Sequence, residues 1–71
     1  MSTAPIVVNP PSPSGGRRVT VRDHGILGLA HSDADVVEFL RRAGLEDADA
    51  LLDDPAWVKW RGGRAHEYEA A

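Results

Sequence analysis

"WVKWRGGRAHEY", residues 57–68, decides how this chain is built. Apolar and polar residues alternate on both sides of Gly62-Gly63, the pattern of two strands joined by a tight turn. The loop length of such a hairpin fixes which side chains share a face, because a shift of one residue reverses the assignment. A two-residue loop, Gly62-Gly63, pairs Trp57 with Tyr68, Lys59 with His66 and Arg61 with Arg64. Aromatics and cations then interleave on one face, as in sheets that bind single-stranded nucleic acid. The same register turns Val58 and Glu67 together towards the core and sets two arginines side by side, both unfavourable. A three-residue loop, Arg61-Gly62-Gly63, gathers Val58, Trp60, His66 and Tyr68 on one face and buries no acid. Consistency across levels favours this second register. It makes Trp57, Lys59, Arg61 and, near the turn, Arg64 the candidate interaction surface.

Upstream, "RVTVRDHGILGLA" (18–30) reads as another hairpin, with Val19 and Val21 alternating with polar residues. An Asp23-His24-Gly25 loop pairs Arg22 with Ile26, Val21 with Leu27 and Val19 with Leu29, so that the aliphatic side chains share a face. Between the hairpins lie two helical segments. Residues 32–43 carry an N-cap (Ser32), acids in the first turn (Asp33, Asp35), an apolar stripe (Val36, Leu40, Ala43) and a terminating Gly44. A shorter helix is capped by Asp47, turns Ala48, Leu51 and Leu52 inward, and stops at Asp54-Pro55. The order is β-β-α-α-β-β. The expected fold is α+β, a small antiparallel sheet packed on two helices, with a hairpin on each side of the helix pair.

Residues 1–16 contain Pro5, Pro10, Pro11 and Pro13 with several Ser and Gly, which reads as a disordered tail. Residues 17–71 then form one small α+β domain. With no cysteine, disulfides, thiol catalysis and Cys-based zinc sites are excluded, and good packing or self-association must support the core. His24, His31 and His66 have no metal-ligand spacing. Gly15-Gly16 and Gly62-Gly63 match no phosphate or dinucleotide motif, and His31-Ser32-Asp33 is too compact in sequence for a triad. No enzyme activity, cofactor or metal is therefore expected. The longest early apolar run, Pro5 to Val8, is too short for a signal peptide or a membrane span, so the expectation is a cytoplasmic protein without a membrane partner.

The formal net charge is −3, with acids concentrated in 33–54 and cations on either side. Two readings follow. The first is a small non-enzymatic protein-interaction or regulatory module that binds a partner protein or a second copy, anchored by Trp57. The alternative is a weak nucleic-acid binder, winged-helix-like, that uses Lys59, Arg61 and Arg64 with help from Arg17, Arg18 and Arg22. Against the alternative, its recognition helix would be "DADALLDD" (47–54), which sets carboxylates against phosphates. The segments "DVVEFLRRAGL" (35–45) and "WVKWRGGRAHEYE" (57–69), with the ending WRGG-x-x-H-x-Y, resemble short proteins of high-GC actinobacteria. The resemblance spans residues 18–69 and implies no particular function.

Overall fold

Ile6, Val7 and Val8 are β-branched, a composition that suits a pleated, half-buried surface. In the computed structural model, which describes residues 4–22 and 25–69, they open strand β1 (Ile6–Pro11). A turn over 12–16 leads to β2 (Arg17–Val21), followed by β3 (Gly25–Ala30), α1 (Asp33–Arg42), α2 (Ala48–Leu51) and β4 (Val58–Trp60). The strands form one mixed sheet in the order β3-β2-β1-β4. Neighbours are antiparallel except β1 and β4, which run parallel with Ile6 beside Val58 and Val8 beside Trp60.

The α+β class stands, but three expectations need correction. First, much of the segment read as a disordered tail is ordered, since β1 lies between β2 and β4. Its prolines mislead for a definable reason. Pro cannot donate to a ladder and is confined to strand ends, edges and bulges. Pro10 and Pro11 fall where the β1–β2 register shifts, and β1 pairs with β4 only through Val8. The "SPSGG" that follows is a hairpin turn, closed by Ser12 N–H donating to the Gly16 carbonyl (2.9 Å).

Second, the β2–β3 hairpin forms with a different register. Val21 lies opposite Gly25 and Thr20 opposite Ile26; after an irregularity at Leu27, Val19 faces Gly28 and Arg18 faces Leu29. The aliphatic set therefore divides between the faces: Val19 is buried, while Ile26 (62%) and Leu29 (46%) are exposed. Phe39 of α1 explains the choice. Its ring sits so close to Gly28 that a Cβ there would lie 2.6 Å from it, so only glycine lets the helix approach the sheet here. The Asp23-His24 part of the expected loop lies outside the described residues.

Third, no C-terminal hairpin forms, and the sheet is mixed for that reason. β4 spends its pairing on β1: Ile6 N–H donates to the Trp57 carbonyl (3.1 Å) and Arg61 N–H to the Val8 carbonyl (2.9 Å). Gly62 and Gly63 then adopt positive φ (68° and 67°) and turn the chain over the end of the sheet; residues 61–69 form no strand.

Helix α1 follows the sequence closely, whereas Asp47 precedes α2 at φ 53° without a side-chain cap bond and α2 is only four residues long. Ser32 caps α1 by accepting from Asp35 N–H (3.3 Å). The other end is a Schellman motif, with Leu45 N–H bonded to the Leu40 carbonyl (3.1 Å) and Gly44 at φ 92°. Ala43 is exposed, and Leu45 packs against the core instead. Val36 and Leu40 of α1, with Ala48 and Leu52 at α2, cover Ile6, Val8, Val19, Ala30 and Val58 of the sheet. Among the described residues no helix is long and apolar enough to cross a membrane.

Ile6 is 2% exposed and sits in the middle of this core. Ile6→Ala should cost about 2–5 kcal/mol in urea unfolding, a large part of a small domain's stability. A dispensable tail would show no change.

Candidate functional site

Strand alternation gives the sheet two unlike faces. One carries Ile6, Val8, Val19, Ala30 and Val58 and is covered by the helices. The other is open. Across its width run Ile26, Thr20, Val7 and Lys59 in one row, with Leu29 and Arg18 adjacent in the next. Asn9 braces this face by donating from Nδ2 to the Arg18 carbonyl (2.9 Å) and to Thr20 Oγ1 (3.3 Å).

The cations of the open face converge. Arg22, just after β2, and Lys59 and Arg61, on and just after β4, line a shallow basin of about 270 Å³ whose floor includes Val7 and Thr20. None of β1 to β4 contains an acidic residue. Among the described residues the ion pairs are Arg42–Glu38, His66–Asp33 and His66–Asp53, so no cation of the open face has a carboxylate partner there. Of the surface expected from sequence, Lys59 and Arg61 are thus brought together. Trp57 is 40% exposed and walls a separate cleft of about 500 Å³ with Ile6, Leu27 and Leu45; Arg22 lines both hollows. Arg64 lines neither. The sequence reading of this surface missed the basin's floor, because it treated 1–16 as a tail. The signal was the β-branched run Ile6-Val7-Val8, which fits a buried strand as well as a tail.

At the other end of the sheet, residues 61–69 are held by a polar clasp. Arg17, expected among the nucleic-acid contacts, is instead fully buried. Its Nη2 donates to the carbonyls of Gly62 (2.5 Å) and Arg64 (3.2 Å), and its guanidinium lies 5.3 Å from the Trp60 ring centroid. Burial lowers the Arg17 pKa, while Tyr68 and then Glu67 act in the opposite direction. Trp60 donates from Nε1 to the Leu52 carbonyl (2.8 Å) and packs edge-on against Tyr68 at 6.0 Å. Tyr68 donates its hydroxyl to Asp33 (2.5 Å) and its carbonyl accepts from Gly16 N–H (2.7 Å).

His66 closes the clasp. Nδ1 lies 2.7 Å from Asp33 and Nε2 2.6 Å from Asp53, an arrangement in which only the doubly protonated ring donates to both. Hydrogen bonds from Asp53 and then Asp33 accordingly raise its pKa. It was expected on the core face beside Trp60 or Tyr68. It does lie against Trp60, with centroids 5.0 Å apart, but its side chain is 37% exposed.

This cluster has residue types that also occur in catalytic sites. Both His66 nitrogens are engaged by carboxylates. Burial and then the Asp33 hydrogen bond push the Tyr68 pKa up, so the phenol stays protonated. Among the described residues no group of three or more His, Asp or Glu is placed to hold a metal ion. The arrangement fixes a chain segment. No protein-family model, curated protein or solved structure matches this chain.

Two outcomes test the clasp. Since the His66 pKa is raised on folding, its stabilisation is fully present below the unfolded value of about 6.5 and fades as pH rises through the folded value. An NMR titration should place the His66 midpoint above about 6.5, and His66→Gln should destabilise more at mildly acidic than at alkaline pH. Tyr68→Phe should lower stability by about 1–2 kcal/mol, read in urea unfolding, because Asp33 loses a charge-assisted donor.

Proposed function

We propose that this chain is a small non-enzymatic protein-interaction module that binds its partner across the open face of the sheet. The observation that carries the reading is one-sided coverage. Helices bury one face, while the other presents Arg18, Arg22, Lys59 and Arg61 beside exposed Ile26 and Leu29. Exposed apolar side chains next to cations that lack partners among the described residues suit a binding surface, and Arg is enriched among the residues that carry binding energy. Trp57 extends the same surface past the end of β1, through Arg22.

The nucleic-acid reading rests on Lys59, Arg61 and Arg64 with Arg17, Arg18 and Arg22, of which Arg17 is buried in the clasp and Arg64 lies outside the basin. Its wing is missing, because the C-terminal hairpin does not form, and α2 has only four residues. The described strands offer no aromatic ring on the open face for a base to stack on, and the exposed Trp57 precedes β4 and walls the neighbouring cleft.

Immobilised wild-type chain and a triple variant, Arg18→Glu, Lys59→Glu and Arg61→Glu, are to be exposed to the same cell extract. Proteins held by the wild type and lost from the variant are the expected result, with both chains giving native-like amide spectra. Retention of the same proteins by both chains overturns the reading. Anisotropy with short single- and double-stranded DNA between about 50 and about 200 mM salt should show no binding. Tight binding that falls steeply with salt would favour the nucleic-acid reading.

A further inference from the structure

We infer that the basin bounded by Arg22, Lys59 and Arg61 is a subsite for a carboxylate on an acidic, extended segment of a partner polypeptide. The inference rests on the protein-interaction reading and names the chemistry of what binds.

The cations come from two strands that are not neighbours. Lys59 and Arg61 belong to the β4 side and Arg22 to the β2 side, with β1 between them. At about 4.8 Å per strand, the two sides stand about 10 Å apart, and Lys59 and Arg61 are about 7 Å apart along the chain. An anion centred over Val7 is therefore within reach of all three long side chains. Without one, like charges face each other across a hollow that the described strands supply with no acid. Local structure does not account for these positions. Arg41 and Arg42 complement the C-terminal end of α1, and Arg17 anchors the clasp, but among the described residues the side chains of Arg22, Lys59 and Arg61 make no hydrogen bond or ion pair.

The basin's size and floor select the ligand. About 270 Å³ admits a carboxylate-sized group and not a large cofactor. The floor includes Val7 and Thr20, whose hydroxyl accepts from Asn9 Nδ2 (3.3 Å) and donates to the Val7 carbonyl (3.5 Å), so the charge that meets an anion comes from the three cations. Ile26 and Leu29, exposed across the same face, call for apolar side chains on whatever binds. A polypeptide can carry both acids and apolar residues at the two-residue spacing that a sheet surface demands. Among the described residues, β1 to β4 carry no acid at this face.

The test is an amide-shift titration of the isotope-labelled full chain with a blocked heptaglutamate peptide, a blocked heptaglutamine peptide and octathymidylate. Heptaglutamate should shift Val7, Thr20, Lys59 and Arg61 together, and heptaglutamine should not. Lys59→Gln with Arg61→Gln should weaken heptaglutamate at least about tenfold while spectra elsewhere match wild type; the single variants serve if the double one does not fold. Absent shifts up to millimolar peptide, shifts that miss the basin, or stronger binding of octathymidylate would each overturn the inference. If the extract experiment still shows proteins lost from the open-face variant, the carboxylate subsite falls alone and the interaction module stands. If neither binds, both fall.

Discussion

Parallel pairing of β4 with β1 is the constraint on which the rest of this structure depends. β4 has three residues, too few to hold together as half of an isolated hairpin. Laid beside Ile6, Val7 and Val8, it gains main-chain bonds at both ends and delivers Val58 and Trp60 to the core. The pairing also puts β1 in the interior of the sheet, where Ile6 and Val8 are almost completely removed from water. Burying apolar area is the main favourable term, and these side chains each contribute about 1.5–3 kcal/mol. Because the two strands lie near opposite ends of the sequence, their pairing ties the chain into a loop, and its entropy is offset only when the whole core forms.

The clasp follows from that topology. Once β4 ends at Trp60, the chain has no strand to pair with, and the last described residues need other partners. Arg17 provides them at the core end of β2. A fully buried guanidinium is costly unless its donors are occupied, and here two carbonyls and the Trp60 face do part of that work. Asp33 serves two purposes. It sits in the first turn of α1, where the dipole favours an acid, and from there it accepts from both Tyr68 and His66. One carboxylate thus ties the helix start to the end of the chain.

Local signals made the helices legible. Ser32, Asp35 and Gly44 each satisfy main-chain groups within a few residues of themselves, so their meaning does not depend on the remainder of the fold. The sheet was legible only where its partners are adjacent, as in β2 and β3. Even there the register was set by Phe39 against Gly28, a contact between elements that no strand pattern encodes. β1 was hidden because its prolines are tolerable only through the bulge at Val8–Pro11 and the end of β4, both tertiary facts. The alternation in 57–68 was real, and its core set largely survives: Val58, Trp60 and Tyr68 do pack together, but through a parallel strand and a clasp. Lys59 and Arg61 emerged from the sequence as surface cations because alternation fixes the face of β4 whichever strand it joins.

That last point gives the open face its weight. Several charged residues of this chain can be assigned to the folding problem. Asp33 and Asp35 serve the start of α1, Arg41 and Arg42 its end, Asp54 a turn, and Arg17, Asp53 and His66 the clasp. The open-face cations cannot be so assigned. They lie on the open face of β2 and β4 or just past the ends of these strands, in a chain whose net charge is negative. Among the described residues their side chains make no ion pair, and bringing three like charges to one basin adds repulsion that solvent and salt only partly screen. Stability therefore supplies no reason for Arg22, Lys59 and Arg61 to converge, whereas an anion held between them does.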